Sequence, residues 1–294
     1  MFKFRIDDLP ASIAYYPGCT LHGLARDYDR TLRDSAKALG VDLVELPDWN
    51  CCGGPASMAD REATAELARR NAAKLNEAGH DTLAVACAWC YHNLATAADE
   101  HDEIDMTVTH IVDALCARPI VDELTRRHAA TLKDDPERDL LPVPCAVYYG
   151  CLLTRPGRLA LKSVTEHDGP VERMLRALGL PVIDWPMRER CCGAWHGFSN
   201  PQVAERLSGE PILAAEAAGA KAMVTACPLC HYNLDAKQYE IGRRLGRKVY
   251  MPIYHFSEVL AYAVAPDSAE RAQSRHINSD RALVDEMLAD EGQS

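Results

Sequence analysis

One arrangement of cysteines occurs twice in this 294-residue chain and constrains it more than any other feature. In each copy a single cysteine is followed by a Cys-Cys-Gly triplet and then by a Cys-x-x-Cys pair. The last two groups are separated by 34 residues in both copies, while the first gap is 31 residues in one copy and 39 in the other. The ten cysteines are Cys19, Cys51, Cys52, Cys87 and Cys90 in the first copy and Cys151, Cys191, Cys192, Cys227 and Cys230 in the second. Self-similarity at an offset of about 140 residues indicates duplicated domains rather than a short repeating unit.

The repeat extends beyond the cysteines. Tyr15-Tyr16-Pro17-Gly18 before Cys19 loosely matches Tyr148-Tyr149-Gly150 before Cys151, and Asn93-Leu94 matches Asn233-Leu234. Equivalent residues therefore surround equivalent cysteines, which favours two domains of the same fold.

The bulk composition indicates a globular protein and excludes several function classes. The chain is 48% hydrophobic, yet no run approaches the roughly 20 apolar residues of a membrane helix. Met1–Pro10 is charged and lacks the apolar region of a secretory signal. A net charge of −11 argues against nucleic acid as a partner. We therefore expect a cytoplasmic protein, in which twelve cysteines favour metal binding or redox chemistry over disulfides.

Alternating strand and helix patterns predict the fold class. In the first copy we predict strands at Ser12–Tyr16, Val41–Leu46 and Thr82–Ala86, and helices at Asp29–Leu39 and Asp60–Ala78. This alternation implies parallel strands joined by crossover helices. The expected fold is α/β, with two duplicated Rossmann-like domains related by a pseudo-two-fold and parallel sheets flanked by helices.

The repeat also predicts the domain boundaries. We assign residues 1–119 to the first domain and 145–265 to the second. The polar segment 120–144 is the predicted linker and could carry a helix at Val121–Leu132, while 266–294 forms a polar C-terminal tail.

Each cysteine group follows a predicted strand. Ligands of open α/β sheets collect at the carboxyl ends of the strands. We therefore expect the five cysteines of each copy to meet at one edge of their sheet.

The number of cysteines in each copy indicates which kind of metal centre it could bind. A tetrahedral zinc site or a cubane iron–sulfur cluster takes four thiolates, whereas each copy offers five. Gly53 and Gly193 allow the sharp turn that lets adjacent cysteines act together. Soft thiolate ligands suit iron–sulfur clusters. We favour a cluster with more than one iron over a structural zinc ion.

The paired cysteine patterns resemble the CCG domains of the B subunit of heterodisulfide reductase. The Tyr149-Gly150-Cys151 segment, the Cys227-Pro228-Leu229-Cys230-His231 segment and the later His255 are also similar to that protein. The resemblance extends from Ser12 to about Ala265. Related proteins occur in thiol-coupled fumarate reductases, an unusual succinate dehydrogenase, sulfur-oxidising complexes and lactate or glycolate oxidising systems.

This resemblance implies that each set of five cysteines binds one noncubane 4Fe–4S cluster. It further implies that a disulfide docks between the two clusters, where its S–S bond is cleaved or formed. The substrate could be carried on a lipoate-type protein.

The source of electrons is inferred from motifs that the sequence lacks. It contains no ferredoxin-type cysteine run, P-loop or GxGxxG fingerprint, so electrons should pass through a partner. The resemblance implies a ferredoxin-like 4Fe–4S subunit and, beyond it, a flavin-bearing subunit. We therefore predict the catalytic subunit of a heterodisulfide reductase-like complex. The alternatives are a non-catalytic electron-transfer subunit of a succinate/fumarate, lactate or glycolate dehydrogenase that feeds quinone, and a zinc-stabilised interaction module.

Several histidines lie close to the predicted cluster cysteines. We select His196 as a tentative proton donor, because it follows the second Cys-Cys-Gly triplet. For His22, His92 and His231 we favour packing or capping roles. His110 and His255 occupy equivalent places in the two copies, which a shared structural role explains most simply.

Predictions can also be made for the two remaining cysteines and for the residues around the second set. We expect Cys116 and Cys145 to be buried core residues. Trp195 and His196 stand where the methanogenic enzymes are expected to have small residues, so the second site should accept a different disulfide. Four arginines near the cysteines could bind an anionic substrate, although solvated surface charge is the simpler role for most of them. These are Arg155, Arg158, Arg188 and Arg190.

Overall fold

A computed structural model describes residues 11–134, 143–155, 157–165, 168–197, 199–274 and 276. The charged N-terminus at 1–10, the centre of the predicted linker at 135–142 and most of the predicted tail, at 277–294, lie outside these residues. Within the described residues, no helix combines the length and apolar character needed to cross a membrane. We refer to residues 11–134 as the first half and to residues 143–276 as the second half.

The first half is built around a four-stranded parallel sheet in the order β2-β1-β3-β4. Its strands are β1 Ser12–Tyr16, β2 Asp42–Glu45, β3 Thr82–Val85 and β4 Thr107–His110. Sequence patterns predicted the first three to within a residue or two, but not β4. The Thr-Val-Thr-His sequence of β4 is short and half polar, so it carries a weak strand signal on its own.

Six helices accompany this sheet: α1 Gly18–His22, α2 Arg26–Ala38, α3 Arg61–Glu77, α4 Ala88–Glu100, α5 Ile111–Leu115 and α6 Arg118–Asp134. The ends of α3 agree closely with the prediction because strong local signals set them. The Asp60 side chain accepts a hydrogen bond from the Ala63 backbone N–H at 2.9 Å, and Gly79 has a φ of +79°. In contrast, α6 is longer than the predicted Val121–Leu132 helix and buries Ile120 and Leu124.

The described residues of the second half form three parallel strands in the order β5-β6-β7, namely β5 Cys145–Tyr148, β6 Ala222–Thr225 and β7 Ile253–His255. The repeat predicts a counterpart of β2 after Gly179 in the second copy, but this strand is reduced to one bridge between Cys145 and Val182. Pro181 has no backbone N–H and cannot donate to a strand ladder. Its carbonyl accepts a hydrogen bond from the Cys145 N–H at 2.8 Å.

The helices of the second half are α7 Pro170–Ala177, α8 Pro201–Ala217, α9 Pro228–Ala236, α10 Gln238–Leu245, α11 Phe256–Val264 and α12 Pro266–Gln273. The last of these lies in the segment that the sequence assigns to the polar tail. It nevertheless buries Ala269 and Ala272, and it packs against α2 and α11.

Buried polar contacts join the two halves where α2 packs against α11. The Tyr28 hydroxyl donates a hydrogen bond to the Ala226 carbonyl at 3.2 Å. The Thr31 and Ser257 hydroxyl oxygens lie 2.6 Å apart, and the Tyr28 ring stacks on His255 with 4.0 Å between centroids. Because Ala226 immediately precedes Cys227, this junction also positions a cysteine of the second set.

We predict that Tyr28→Phe destabilises the protein by about 1 kcal/mol, because it removes a buried hydrogen bond between the halves. The free energy of unfolding is measured by urea denaturation. Tyr239→Phe is the matched control, since Tyr239 is 76% exposed and should tolerate the change. Equal stability of the two variants would contradict this account of the junction.

Candidate metal centre

The first set of cysteines converges at the carboxyl edge of its sheet. Cys19 follows β1, the Cys51-Cys52 pair follows β2, and Cys87 and Cys90 follow β3. The Sγ atoms of Cys52 and Cys90 lie 3.3 Å apart. Further hydrogen bonds join Cys19 to Cys51, Cys51 to Cys52 and Cys87 to Cys90. The edge of the sheet therefore brings all five thiols of this copy together.

The second set repeats this arrangement. The Sγ atoms of Cys192 and Cys230 lie 3.4 Å apart, which matches the Cys52–Cys90 distance. Hydrogen bonds also join Cys151 to Cys191 and Cys227 to Cys230. The missing strand in the second sheet thus leaves the cysteine arrangement intact.

The two sets meet at the first cysteine of each Cys-x-x-Cys pair. The thiols of Cys87 and Cys227 are close enough to interact: Cys227 raises the pKa of Cys87, while Cys230 and then Cys87 lower the pKa of Cys227. These residues are the N-caps of α4 and α9. Both helix N-termini therefore direct their positive ends towards the junction, where they can offset negative charge on cysteine ligands.

Two tyrosines hold the Cys-Cys loops. The Tyr16 hydroxyl donates a hydrogen bond to the Asn50 carbonyl at 2.9 Å, and the Tyr148 hydroxyl donates to the Arg190 carbonyl at 2.5 Å. Each accepting residue immediately precedes its cysteine pair. Burial, followed by the charges of neighbouring cysteines, raises the pKa of both phenols well above the usual value. Both hydroxyls therefore stay protonated as donors.

Two asparagines hold the same loops from the other side. Asn93 Nδ2 donates a hydrogen bond to the Cys52 carbonyl, and Asn233 Nδ2 donates to the Cys192 carbonyl, each at 3.0 Å. Both asparagines are buried and lie three residues after the last cysteine of their set. The backbone of each Cys-Cys loop is thus held by hydrogen bonds from one tyrosine and one asparagine.

Two glycines make room for the thiols. Gly18 and Gly150 have φ values of +71° and +70°. A Cβ atom at Gly18 would lie 3.1 Å from the Cys90 Sγ, and one at Gly150 would lie 2.9 Å from the Cys230 Sγ. A side chain at either position would therefore occupy space next to a thiol, as expected of a cradle around a bulky group.

The ionisation of the thiols indicates what could bind them. Hydrogen bonds with Cys51 and Cys90 lower the pKa of Cys52 to about 4, and a hydrogen bond with Cys151 lowers that of Cys191 to about 6. Their neighbours Cys19 and Cys151 instead have raised pKa values, because each donates a hydrogen bond to the neighbouring cysteine, Cys51 or Cys191, and because burial and nearby thiolate charge disfavour ionisation. Full ionisation of five thiols needs several positive charges nearby, and an iron–sulfur cluster supplies them.

An apolar cavity of about 200 Å³ lies beside the second set. All five cysteines of that set line it, together with Trp89 and Met58 from the first half and Trp195 from the second. The Trp89 and Trp195 ring centroids are 5.8 Å apart. In the first set, Cys19 and Cys51 are exposed. The two sites are therefore alike in their ligands but differ in their surroundings.

The histidine and the four arginines that the sequence analysis selected near the second set do not line the cavity. His196 does not line it, although its charge helps to lower the pKa of Cys191, as does that of Arg155. Arg188 is buried, with its guanidinium 2.6 Å from the Glu172 carboxylate, so it is a structural residue rather than a free cation of the cleft. Arg190 and Arg158 form surface ion pairs with Glu210 and Asp99.

The other histidines lie in structural surroundings. The His22 ring packs against Trp49 at 5.0 Å, and His92 lies in a separate pocket on α4. His110 and His255 are the N-caps of α5 and α11, the helices that follow the last strand of each sheet. The equivalence of these two histidines in sequence thus corresponds to an equivalent place in the fold.

The two remaining cysteines lie in the core, as predicted. The Cys116 thiol contacts the Met174 sulfur at 3.7 Å, and the Cys145 thiol donates to the Val143 carbonyl at 3.3 Å. Burial raises the pKa of Cys145 to about 12, so its thiol stays protonated.

Sequence reasoning missed four residues that shape the site. These are Tyr16, Tyr148, Asn93 and Asn233. The signal that could have identified them is their recurrence at the same distances from equivalent cysteines in both copies. A polar residue that recurs beside a duplicated ligand is a candidate for orienting it.

The family model of the CCG cysteine-rich domain matches residues 13–95 and 145–235. The chain belongs to the CCG cysteine-rich domain family. These two matches contain all ten cysteines of the two sets and confirm that the domain occurs twice. Together with the thiol sets, membership of this family implies bound iron–sulfur clusters.

Curated relatives cover most of this CCG protein. It is 27% identical over 274 residues to the 8-methylmenaquinol:fumarate reductase membrane anchor subunit of Wolinella succinogenes, covering 90% of this chain and 96% of the relative. It is also 27% identical over 285 residues to the B subunit of the ferredoxin/F(420)H(2)-dependent CoB-CoM heterodisulfide reductase of Methanosarcina acetivorans, covering 87% and 91%. The resemblance to the heterodisulfide reductase B subunit inferred from the cysteine motifs is thus confirmed.

A solved structure shares the fold. A hypothetical protein from Helicobacter pylori aligns with a TM-score of 0.64 and 10% identity, covering 93% of this chain and 53% of that protein. This chain therefore spans about half the length of that structure, and the likeness supports the α/β fold alone.

We predict that Gly150→Ala lowers the iron bound by the second set, because the added methyl group would press on the Cys230 thiol. Iron and acid-labile sulfide per chain should fall by roughly half if each set binds one cluster. Gly219→Ala is the matched control, since Gly219 also has a positive φ, of +91°, but a methyl group added there would have no atom within 4 Å. Equal iron loss in both variants would show that backbone strain, not crowding of the thiol, causes the effect.

Proposed function

We propose that this protein is the catalytic subunit of a heterodisulfide reductase-like complex and that a disulfide is cleaved or formed in the apolar cavity. The observation that carries this proposal is the lining of that cavity by all five cysteines of the second set. A sulfur substrate entering it would lie against metal-binding thiols on one side and two tryptophans on the other.

The cofactors that best fit the site are two noncubane 4Fe–4S clusters, one in each set of five cysteines. A set with one cysteine more than a cubane or zinc site requires favours a cluster of unusual shape. When bound, such clusters would supply the two electrons of the reaction and an iron that can accept a sulfur ligand. The tyrosines, asparagines and glycines described above would hold the cysteines ready for them.

The shape and polarity of the cavity indicate the substrate class. Its walls are almost wholly apolar, so it favours the uncharged disulfide and its neighbouring carbon atoms over a charged group. Reduction converts one disulfide, two electrons and two protons into two thiols, and oxidation reverses this. A volume of about 200 Å³ accommodates the S–S bond and its adjacent atoms, while the remainder of a carrier would stay outside.

His196 is the proposed proton donor to a product thiolate. It lies on the loop of the second Cys-Cys pair, is half-buried and influences the charge of Cys191. Because it does not line the cavity, it would act at the mouth near Cys191. Arg155 would add positive charge on the same side.

Electrons would enter through a partner with ordinary 4Fe–4S clusters, followed by a flavin-bearing subunit. The exposed Cys19 and Cys51 make the first set the accessible end of this route. The ten cysteines form a continuous series through the Cys87–Cys227 contact, which provides a short path between the sets. We place the assembled complex in the cytoplasm.

The alternative function is electron transfer without disulfide chemistry, as a subunit of a dehydrogenase that passes electrons towards quinone. Similarity to the Wolinella fumarate reductase subunit favours this alternative. In that role the cavity would be empty of substrate during turnover, and only the continuity of the two sets would matter.

We predict about eight iron and eight acid-labile sulfide per chain after anaerobic purification or reconstitution. Replacing Cys192 by Ser should halve both values, whereas replacing the core residue Cys145 by Ser should leave them unchanged. Two zinc ions bound to the cysteines, without iron, would instead support the zinc-stabilised interaction module.

We predict that Trp195→Ala raises KM for the disulfide about tenfold and changes kcat little, since the residue lines the cavity but supplies no thiol. Turnover is followed with reduced viologen as electron donor. Tyr239→Ala, at an exposed site remote from the cavity lining, is the control. Absence of disulfide turnover in an iron-replete wild type, with normal electron relay, would favour the alternative function.

A further inference from the structure

A group of side chains that could bind a metal ion lies apart from the two cysteine sets. His231 on α9, Glu258 on α11 and His276 beyond α12 each place one ligating atom within 4.8 Å of the others. They line a pocket of about 100 Å³ together with Tyr28. His231 follows Cys230 directly in sequence, yet its ring stacks on His255 at 4.0 Å and contacts His276 at 5.0 Å. The His231 ring therefore faces this pocket, although the residue before it is a cysteine of the second set.

Glu258 is buried, and His231 and His276 are partly buried. The side chains of His276 and Glu258 are 7% and 3% exposed, and the Glu258 carboxylate lies 2.8 Å from His276 Nε2. Asp235, which is 2% exposed, lines the same pocket and adds a second carboxylate. A carboxylate beside two imidazoles offers the nitrogen and oxygen ligands that a divalent cation such as zinc takes.

The surrounding backbone orients two of the three ligands. The Ile253 carbonyl lies 3.0 Å from His231 Nε2 and can only accept, so Nε2 carries the proton and Nδ1 keeps its lone pair. Glu258 Oε2 accepts a hydrogen bond from the His255 backbone N–H at 2.7 Å, which leaves Oε1 facing the histidines. A ligating histidine that donates its other N–H to a backbone carbonyl is a recurrent feature of metal sites.

We propose that His231, Glu258 and His276 bind a zinc ion that is separate from the iron–sulfur clusters. Two imidazoles and one carboxylate form a known three-ligand zinc set, whose fourth position is taken by water. The pocket is open to solvent beside the ligands and leaves room for that water. The ion would fasten residue 276, at the end of the described chain, to α9 and α11 of the second half.

The proposal is tested on the full chain, purified anaerobically with its clusters and equilibrated with zinc chloride. Metal analysis should find about one zinc per chain, besides the iron. His276→Gln and Glu258→Gln should each reduce zinc to about a tenth of that value and leave iron and sulfide unchanged. His101→Gln is the matched control, because His101 also pairs with a glutamate, Glu103, at 3.6 Å on the surface.

Zinc K-edge X-ray absorption of the unaltered protein identifies the ligands directly and does not depend on the folding of a variant. A shell of nitrogen and oxygen at about 2.0–2.1 Å, without sulfur at about 2.3 Å, supports the proposal. A sulfur shell, a lack of bound zinc, or zinc retained by both variants would overturn it. Iron content and disulfide turnover are measured independently, so failure of this site leaves the proposed function to its own tests.

Discussion

The approach of Cys87 to Cys227 across the junction between the two halves is the constraint on which the proposed site depends. Each thiol lies at the N-terminus of a helix, and each helix begins at the carboxyl edge of its own sheet. Two such edges can meet in this way only if the halves are held closely, which the buried Tyr28–Ala226 hydrogen bond and the α2–α11 packing achieve. The junction therefore converts two separate cysteine sets into one continuous region of thiols.

The two cysteine sets have the same supporting contacts but different surroundings. The tyrosine, asparagine and glycine contacts are the same in both copies, so both sets are equally prepared to hold a cluster. Their surroundings differ, because Trp195 of the second half and Trp89 and Met58 of the first line a cavity beside the second set, whereas Cys19 and Cys51 of the first set are exposed. This difference is the physical basis of the proposal that substrate binds beside the second set and that electrons enter at the first.

The sequence predicted the features that depend on nearby residues. The helix from Arg61 to Glu77 has its own cap and stop signals, and each cysteine set follows from the ends of neighbouring strands. Features that depend on distant packing were not predictable in the same way. The loss of a full strand at Val182, the burial of Arg188 against Glu172 and the cavity between Trp89 and Trp195 each join residues that are separated in sequence. The group of His231, Glu258 and His276 is likewise assembled by three elements, and no spacing rule connects them.

The central claim is that a sulfur substrate contacts the second cysteine set, whose cavity contains no cysteine of the first set, rather than both sets as the family resemblance implies. It is tested most directly by electron paramagnetic resonance of the oxidised protein during titration with a small thiol. We predict a new thiol-dependent signal that sulfur-33 labelling of the thiol broadens. This signal should be lost in Cys191→Ser and retained in Cys51→Ser, with iron content measured in each variant. A spectrum that no thiol changes, or a signal that depends on Cys51 rather than Cys191, would contradict the claim.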